Sequence, residues 1–171
     1  MGISIRDSSG SDARTGSSTS SDPDKADSLA DYANFLRNVR RDYDRAEAMY
    51  ERAITADPNH AYSLGCYANF LRNVRRDYDR AEAMYERAIT ADPNHAYSLG
   101  CYANFLRNVR RDYDRAEAMY ERAITADPNH AYSLGCYANF LKDVRRDYDR
   151  AEAMYERAIT ADPNHAYSLG C

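Results

Sequence analysis

From residue 61 onward the apolar residues fall at a helical period. Leu64, Tyr67, Ala68, Leu71 and Val74 stand at i, i+3, i+4, i+7 and i+10, so they share one face of a first helix. Tyr78, Ala81, Met84, Tyr85, Ala88 and Ile89 mark a second apolar stripe that runs out near Ala91. Asp57 suits an N-cap and Pro58 a first helical position, where a missing N–H costs nothing, so the first helix is predicted over 58–75. Asp77 caps the second. Only about two residues near Arg75 and Arg76 separate the stripes, and so short a link permits only an antiparallel hairpin.

The pattern then repeats along the chain. Residues 61–95 and 96–130 are identical, and 131–165 differ from them only at Lys142 and Asp143. The copy at 26–60 differs at Asp27, Ala30 and Asp31, where later copies carry Tyr62, Gly65 and Cys66. Residues 166–171 read as the start of a fifth copy, and 1–25 as a disordered leader rich in Ser, Asp and Gly that ends in a trace of a preceding copy, Asp22-Pro23-Asp24-Lys25. A single hairpin has apolar residues on two faces and can bury only one of them internally. Stability is therefore expected to belong to the stack, as a sum of copies and of interfaces between them.

Charge excludes more than it suggests. Each of the two identical copies carries five arginines and five acids, so the net charge of −4 arises outside them. A neutral array gives no electrostatic case for nucleic acid. No apolar run reaches the ~20 residues that span a bilayer, and Arg6 stands where a myristoylation motif needs Ser or Thr, so no membrane partner is expected. His60 and Cys66 recur in every later copy but lie six residues apart with no second Cys nearby, which gives no metal clamp. Neither a cofactor nor a catalytic residue is expected. Equivalent cysteines in stacked copies would lie ~8–10 Å apart, beyond the ~7 Å that a disulfide bridges. Free thiols are expected, which suits an intracellular, cytoplasmic chain.

Taken together, these residues resemble the tetratricopeptide repeat family. Leu64, Tyr67, Ala68 and Leu71 match the large-large-small-large pattern of that family's first helix, while Tyr78, Ala81, Tyr85, Ala88 and Asp92-Pro93-Asn94 match its second. Two departures stand out: the unit here is one residue longer, and Val74-Arg75-Arg76 replaces the usual turn glycine. The resemblance implies an all-α fold, an α-α superhelix in which antiparallel hairpins form a right-handed solenoid. It also implies a non-enzymatic scaffold for a protein or peptide partner. The period resembles pentatricopeptide RNA-binding repeats as well, a lesser alternative given the charge balance.

A second face of the first helix carries Tyr62, Gly65, Cys66, Asn69, Arg72 and Asn73. By the resemblance, this face lines a concave groove that holds extended peptides. The binding set is then Asn34, Asn69, Asn104 and Asn139, with Arg37, Arg72, Arg107 and Lys142, the tyrosines Tyr62, Tyr97 and Tyr132, and Asn73 and Asn108. A carboxamide offers donor and acceptor together, and a guanidinium fork fits carboxylates. The alternative for the asparagines is that they hydrogen-bond neighbouring copies. Arg80, Glu82, Glu86 and Arg87 read as a solvated outer face. Finally, Tyr148, Met154 and Tyr155 in the last full copy match residues that an internal copy hides, so weak end-to-end self-association is expected, as in a self-stacking array.

Overall fold

A computed structural model describes residues 21–162. The leader over 1–20 and the start of a fifth copy lie outside them. Four hairpins follow one another. The first pairs α1 (Pro23–Phe35) with α2 (Tyr43–Ala56), the second α3 (Ala61–Phe70) with α4 (Tyr78–Ala91), the third α5 (Ala96–Phe105) with α6 (Tyr113–Ala126), and the fourth α7 (Ala131–Phe140) with α8 (Tyr148–Ala161). The described residues contain no strand. Each odd-numbered helix packs on the next odd-numbered helix and also on the even-numbered helix before it, which makes the stack a solenoid.

Each odd-numbered helix ends in a π-helical turn, Leu36–Arg40, Leu71–Arg75, Leu106–Arg110 or Leu141–Arg145. A π turn is an α-helix with one residue added, and it takes up the extra residue of the 35-residue unit. The next residue, Arg76 in the second copy, adopts the left-handed region with φ 59° and ψ 24°. Its N–H and that of Asp77 both reach back to the Leu71 carbonyl, the second at 3.1 Å, which closes the helix as a glycine-type cap would. Asp77 then caps α4 by accepting the Arg80 backbone N–H at 3.2 Å. The turn that lacks glycine thus keeps a glycine's geometry on an arginine.

The predicted start of the first helix needs correction. In the first copy Asp22 caps α1 through the Lys25 N–H, with Pro23 as the first helical residue. In the second copy the same dipeptide closes a turn. The Asp57 N–H bonds the Ala53 carbonyl to end α2, and its carboxylate accepts the Asn59 N–H at 3.1 Å. Helix α3 therefore begins at Ala61, with His60 at the N-cap position but making no side-chain capping bond. With a helix directly behind it, Asp57 is already committed when the next helix has to start.

The core runs without a break from copy to copy. Tyr50, Tyr85, Tyr120, Phe70, Phe105 and Phe140 are fully buried. Tyr85 stacks on Tyr102 of the next copy at 5.5 Å and packs against Phe105 at 5.5 Å. Offset and tilted ring pairs of this kind add ~0.5–1.5 kcal/mol beyond their area burial. Ala68, Ala81 and Ala88 are fully buried too, and their small side chains let the helices approach. No helix among the described residues is long and apolar enough to cross a membrane.

Candidate functional site

The first helices of successive copies lie side by side, and their shared face divides into a buried seam and an exposed rim. Gly65, Cys66 and Asn69 belong to the seam. A Cβ on Gly65 would come within 2.5 Å of the Ser98 hydroxyl, so the glycine lets α5 sit close against α3. Ser98 in turn bonds the Ala61 carbonyl at 3.3 Å and the His95 ring at 2.8 Å. His60 makes the same contact to Ser63 and lies 3.4 Å from Asp27 of the copy before. Cys66 and Cys101 are buried free thiols, and burial raises both above the ordinary thiol range. Cys136 is disulfide-bonded, which corrects the expectation of free thiols throughout. The spacing argument covered only equivalent cysteines packed in the stack, and it holds between Cys66 and Cys101.

Asn69 ties three helices together. Its Nδ2 donates to the Tyr97 hydroxyl at 3.0 Å and to Cys101 Sγ at 3.3 Å, while its Oδ1 accepts the Tyr85 hydroxyl at 2.7 Å. Asn104 repeats the set with Tyr132, Cys136 and Tyr120. Asn34 does so more loosely, at 3.4 Å to Tyr62 and 3.6 Å to Cys66. Asn139 accepts the Tyr155 hydroxyl at 2.5 Å and Lys142 Nζ at 3.5 Å. Both amide hydrogens and one oxygen lone pair of Asn69 are therefore spoken for. Tyr62, Tyr97 and Tyr132 form a half-buried column with ring centroids 6.3 and 6.2 Å apart. Burial drives the Tyr62, Tyr97 and Tyr132 hydroxyls far above the usual phenol range, so they serve as neutral hydrogen-bonding groups.

Arginines line the rim. Arg37 Nε donates to Asn38 at 2.9 Å and Arg72 Nε to Asn73 at 2.8 Å, and neither guanidinium meets a carboxylate. Arg107 behaves differently. Its Nη2 reaches across to Asp143 of the next copy at 3.0 Å, with its own side chain only 13% exposed. Arg72 and Arg107 sit in identical copies, so the difference follows from the following copy, which carries Asn108 at the place equivalent to Asp143. In both, Nη1 is buried without a hydrogen-bond partner. Lys142 is exposed and lies 3.5 Å from Asp143. Asn73 and Asn108 are exposed beside the arginines.

Many of the outer arginines are paired between copies, which the sequence reading missed. Arg75 bonds Asp44 at 2.6 Å and Glu47 at 2.7 Å in the preceding copy while lying over the Phe70 ring. Arg110 and Arg145 repeat this with Asp79 and Glu82, and with Asp114 and Glu117. Arg115 donates to the Tyr102 hydroxyl at 2.6 Å, and that hydroxyl reaches Glu82 and Glu86, each at 3.1 Å. Arg80, Glu82 and Glu86 thus belong to an inter-copy network instead of a purely solvated face. Arg87 crosses to the Pro58 carbonyl at 3.0 Å. The partners of Arg75 and Arg87 lie 28 to 31 residues away, nearly one repeat, and that offset was the only signal available.

Stacked antiparallel hairpins joined by a seam of amide, hydroxyl and thiol groups define a helical-repeat solenoid. The chain belongs to the tetratricopeptide repeat family: models of that repeat match residues 39–96, 84–118, and 111–130 with 146–165. No curated protein sequence matches it. Among solved structures, pilF of Pseudomonas aeruginosa is similar with a TM-score of 0.71 and 19% identity, over 85% of this chain and 65% of that one. The chain thus spans about two thirds of that structure's length. MamA is similar at 0.63 and 14%, over 85% and 83% of the two chains. The first tetratricopeptide domain of Spaghetti, bound to an HSP90 peptide, is similar at 0.56 and 17%, over 82% and 95%. At these identities the likeness concerns the fold.

Proposed function

We propose that this chain is a non-enzymatic scaffold that holds an extended, acid-containing peptide along the rim of its first helices. One observation carries the reading. Arg75, Arg80, Arg110 and Arg115 on the outer side all have carboxylate partners, whereas Arg37 and Arg72 on the inner side have none. Arg76 and Arg87 also meet no carboxylate, so what sets Arg37 and Arg72 apart is their place on the face that successive first helices share, where the equivalent Arg107 does bind one. Asn73 and Asn108 supply exposed amides beside the arginines, and the Tyr62, Tyr97 and Tyr132 column flanks them. The buried asparagines act here by holding the rim in register. Direct capture of a ligand's backbone by Asn69 would require it to give up a bond it already makes. A peptide occupies the structurally similar Spaghetti domain, which supports a peptide as ligand here. Neither a cofactor nor a nucleic acid enters this reading. The test is capture of partners on the immobilised chain, compared with an Arg37→Ala, Arg72→Ala variant. Partners retained only by the unaltered chain support it.

End-to-end stacking is a second reading with its own support. Tyr32 and Phe35 in the first copy are 41% and 42% exposed, while Tyr67 and Phe70 are buried. At the other end Tyr148 is 59% exposed, where Tyr78 and Tyr113 are covered by the following copy. Each end offers what the other hides inside the stack.

A further inference from the structure

Copies 61–95 and 96–130 have the same sequence, yet their rim arginines point to different partners. The third copy is therefore a comparison built into the molecule. Arg72 rests on its own neighbour Asn73, and the residue one copy on that is equivalent to Asp143 is Asn108. Arg107, one repeat further on, faces Asp143 and makes a charge-assisted bond of 3.0 Å to it. The first copy agrees with the second: Arg37 rests on Asn38, and the equivalent residue one copy on is Asn73.

We propose that the rim holds three equivalent carboxylate sites, of which Asp143 fills the third from within, leaving two for a ligand. This rests on the reading of the rim given above. The open sites are Arg37 with Asn73 and Arg72 with Asn108. In each, a guanidinium and an amide NH₂ can both donate to one incoming carboxylate, and the 3.0 Å bond from Arg107 to Asp143 shows that a guanidinium at this place takes a carboxylate partner. Asp143 also removes the amide donor that a ligand would meet at the third site. Lys142, 3.5 Å from the same carboxylate, offsets its charge. The ligand is thus an extended peptide with two acids. Sites one repeat apart, ~10 Å, match side chains three residues apart in a polyproline II chain, which advances ~3.1 Å per residue and returns to the same face every third residue.

The test uses the whole chain and three synthetic peptides, otherwise uncharged, that carry one glutamate, two at a spacing of three, or three at that spacing. Isothermal titration should show the second glutamate tightening binding and the third adding nothing. Asp143→Asn restores the residue found in the other copies and keeps the fold. In that variant the third glutamate should gain about three- to tenfold in affinity, the scale of one charge-assisted bond at a partly exposed site. Asn108→Asp should close the Arg72 site and remove the gain from the second glutamate. Independently of any ligand, the Arg107 Nε–H signal in NMR should differ from that of Arg72 and move onto it in Asp143→Asn. If the peptides bind through Arg72 but the third glutamate gains nothing in Asp143→Asn, the internal-carboxylate idea fails alone. If no peptide binds, or binding ignores Arg37→Ala and Arg72→Ala, both it and the underlying reading are overturned.

Discussion

The Tyr85 hydroxyl donates to Oδ1 of Asn69 at 2.7 Å, fastening the second helix of one copy to a side chain that also grips the next. Both residues are buried, so the bond has no water to replace it. Asn69→Ala strands the Tyr85 hydroxyl without its acceptor and removes the donor to Tyr97. A loss of about 1–3 kcal/mol in unfolding free energy is expected. Asn108→Ala, at an exposed site, should stay within about 0.5 kcal/mol. Urea unfolding of the two variants checks the contrast.

Arginine in the left-handed region is strained, because its Cβ crowds the carbonyl that follows. Arg41, Arg76, Arg111 and Arg146 all have φ between 57° and 59°. The strain is worth ~1–2 kcal/mol at such a position, and glycine's extra freedom in the unfolded chain offsets ~0.5–1 kcal/mol of any relief. Arg76→Gly should therefore stabilise the array by about 0.5–1 kcal/mol. Thermal melting of Arg76→Gly and of Arg76→Gly with Arg111→Gly should show two successive rises in midpoint.

Stability should fall on both sides of neutrality. Burial lowers His95 and His130, with Asp92 and Asp127 opposing it in part. Their folded values lie below the unfolded ~6.5, so their contribution is present above that pH and is lost as pH falls. Burial raises Tyr85 and Tyr97 instead. Their contribution is present below the unfolded ~10 and is lost as pH rises past it. The urea midpoint measured across pH should drop below ~6.5 and above ~10. A midpoint unchanged in either direction would contradict the burial of the corresponding groups.

The ends of the stack predict weak self-association. Arg40 at the first copy lacks the two acids that Arg75 has, and Asp149 and Glu152 in α8 match the acids that bind Arg75, Arg110 and Arg145. Average mass from light scattering, taken in reductant, should rise between micromolar and millimolar chain. Arg40→Glu should suppress the rise, and adding Asp149→Arg with Glu152→Arg to the same chain should restore it. A mass independent of concentration would rule the contact out.

How legible was this in the sequence? The hairpins were, since their evidence is a period: Leu64 to Val74 and Tyr78 to Ile89 fix two faces, and Asp77 caps the second helix as read. The role of Asp57 was not. Its twin Asp22 starts a helix, and what separates them is whether a helix directly precedes. At the rim, Arg72 and Arg75 look alike on the chain, three residues apart. Only the stack shows that Arg75 reaches the acids of the preceding copy and Arg72 does not. The asparagines were placed on the right helix face, but depth within a face is set by how closely the next helix approaches. Gly65 sets that approach here, and its contact with Ser98 spans 33 residues.

The central claim is that Arg37 and Arg72 present unmatched charge to an acidic, extended peptide. Isothermal titration of a peptide with glutamates three residues apart, into this chain and into Arg37→Ala with Arg72→Ala, tests it most directly. The account predicts binding that weakens with added salt and falls about tenfold or more in the double variant, on the scale of two charge-assisted bonds. Equal affinity for both proteins, or equal affinity for the peptide with its glutamates changed to glutamine, would contradict it.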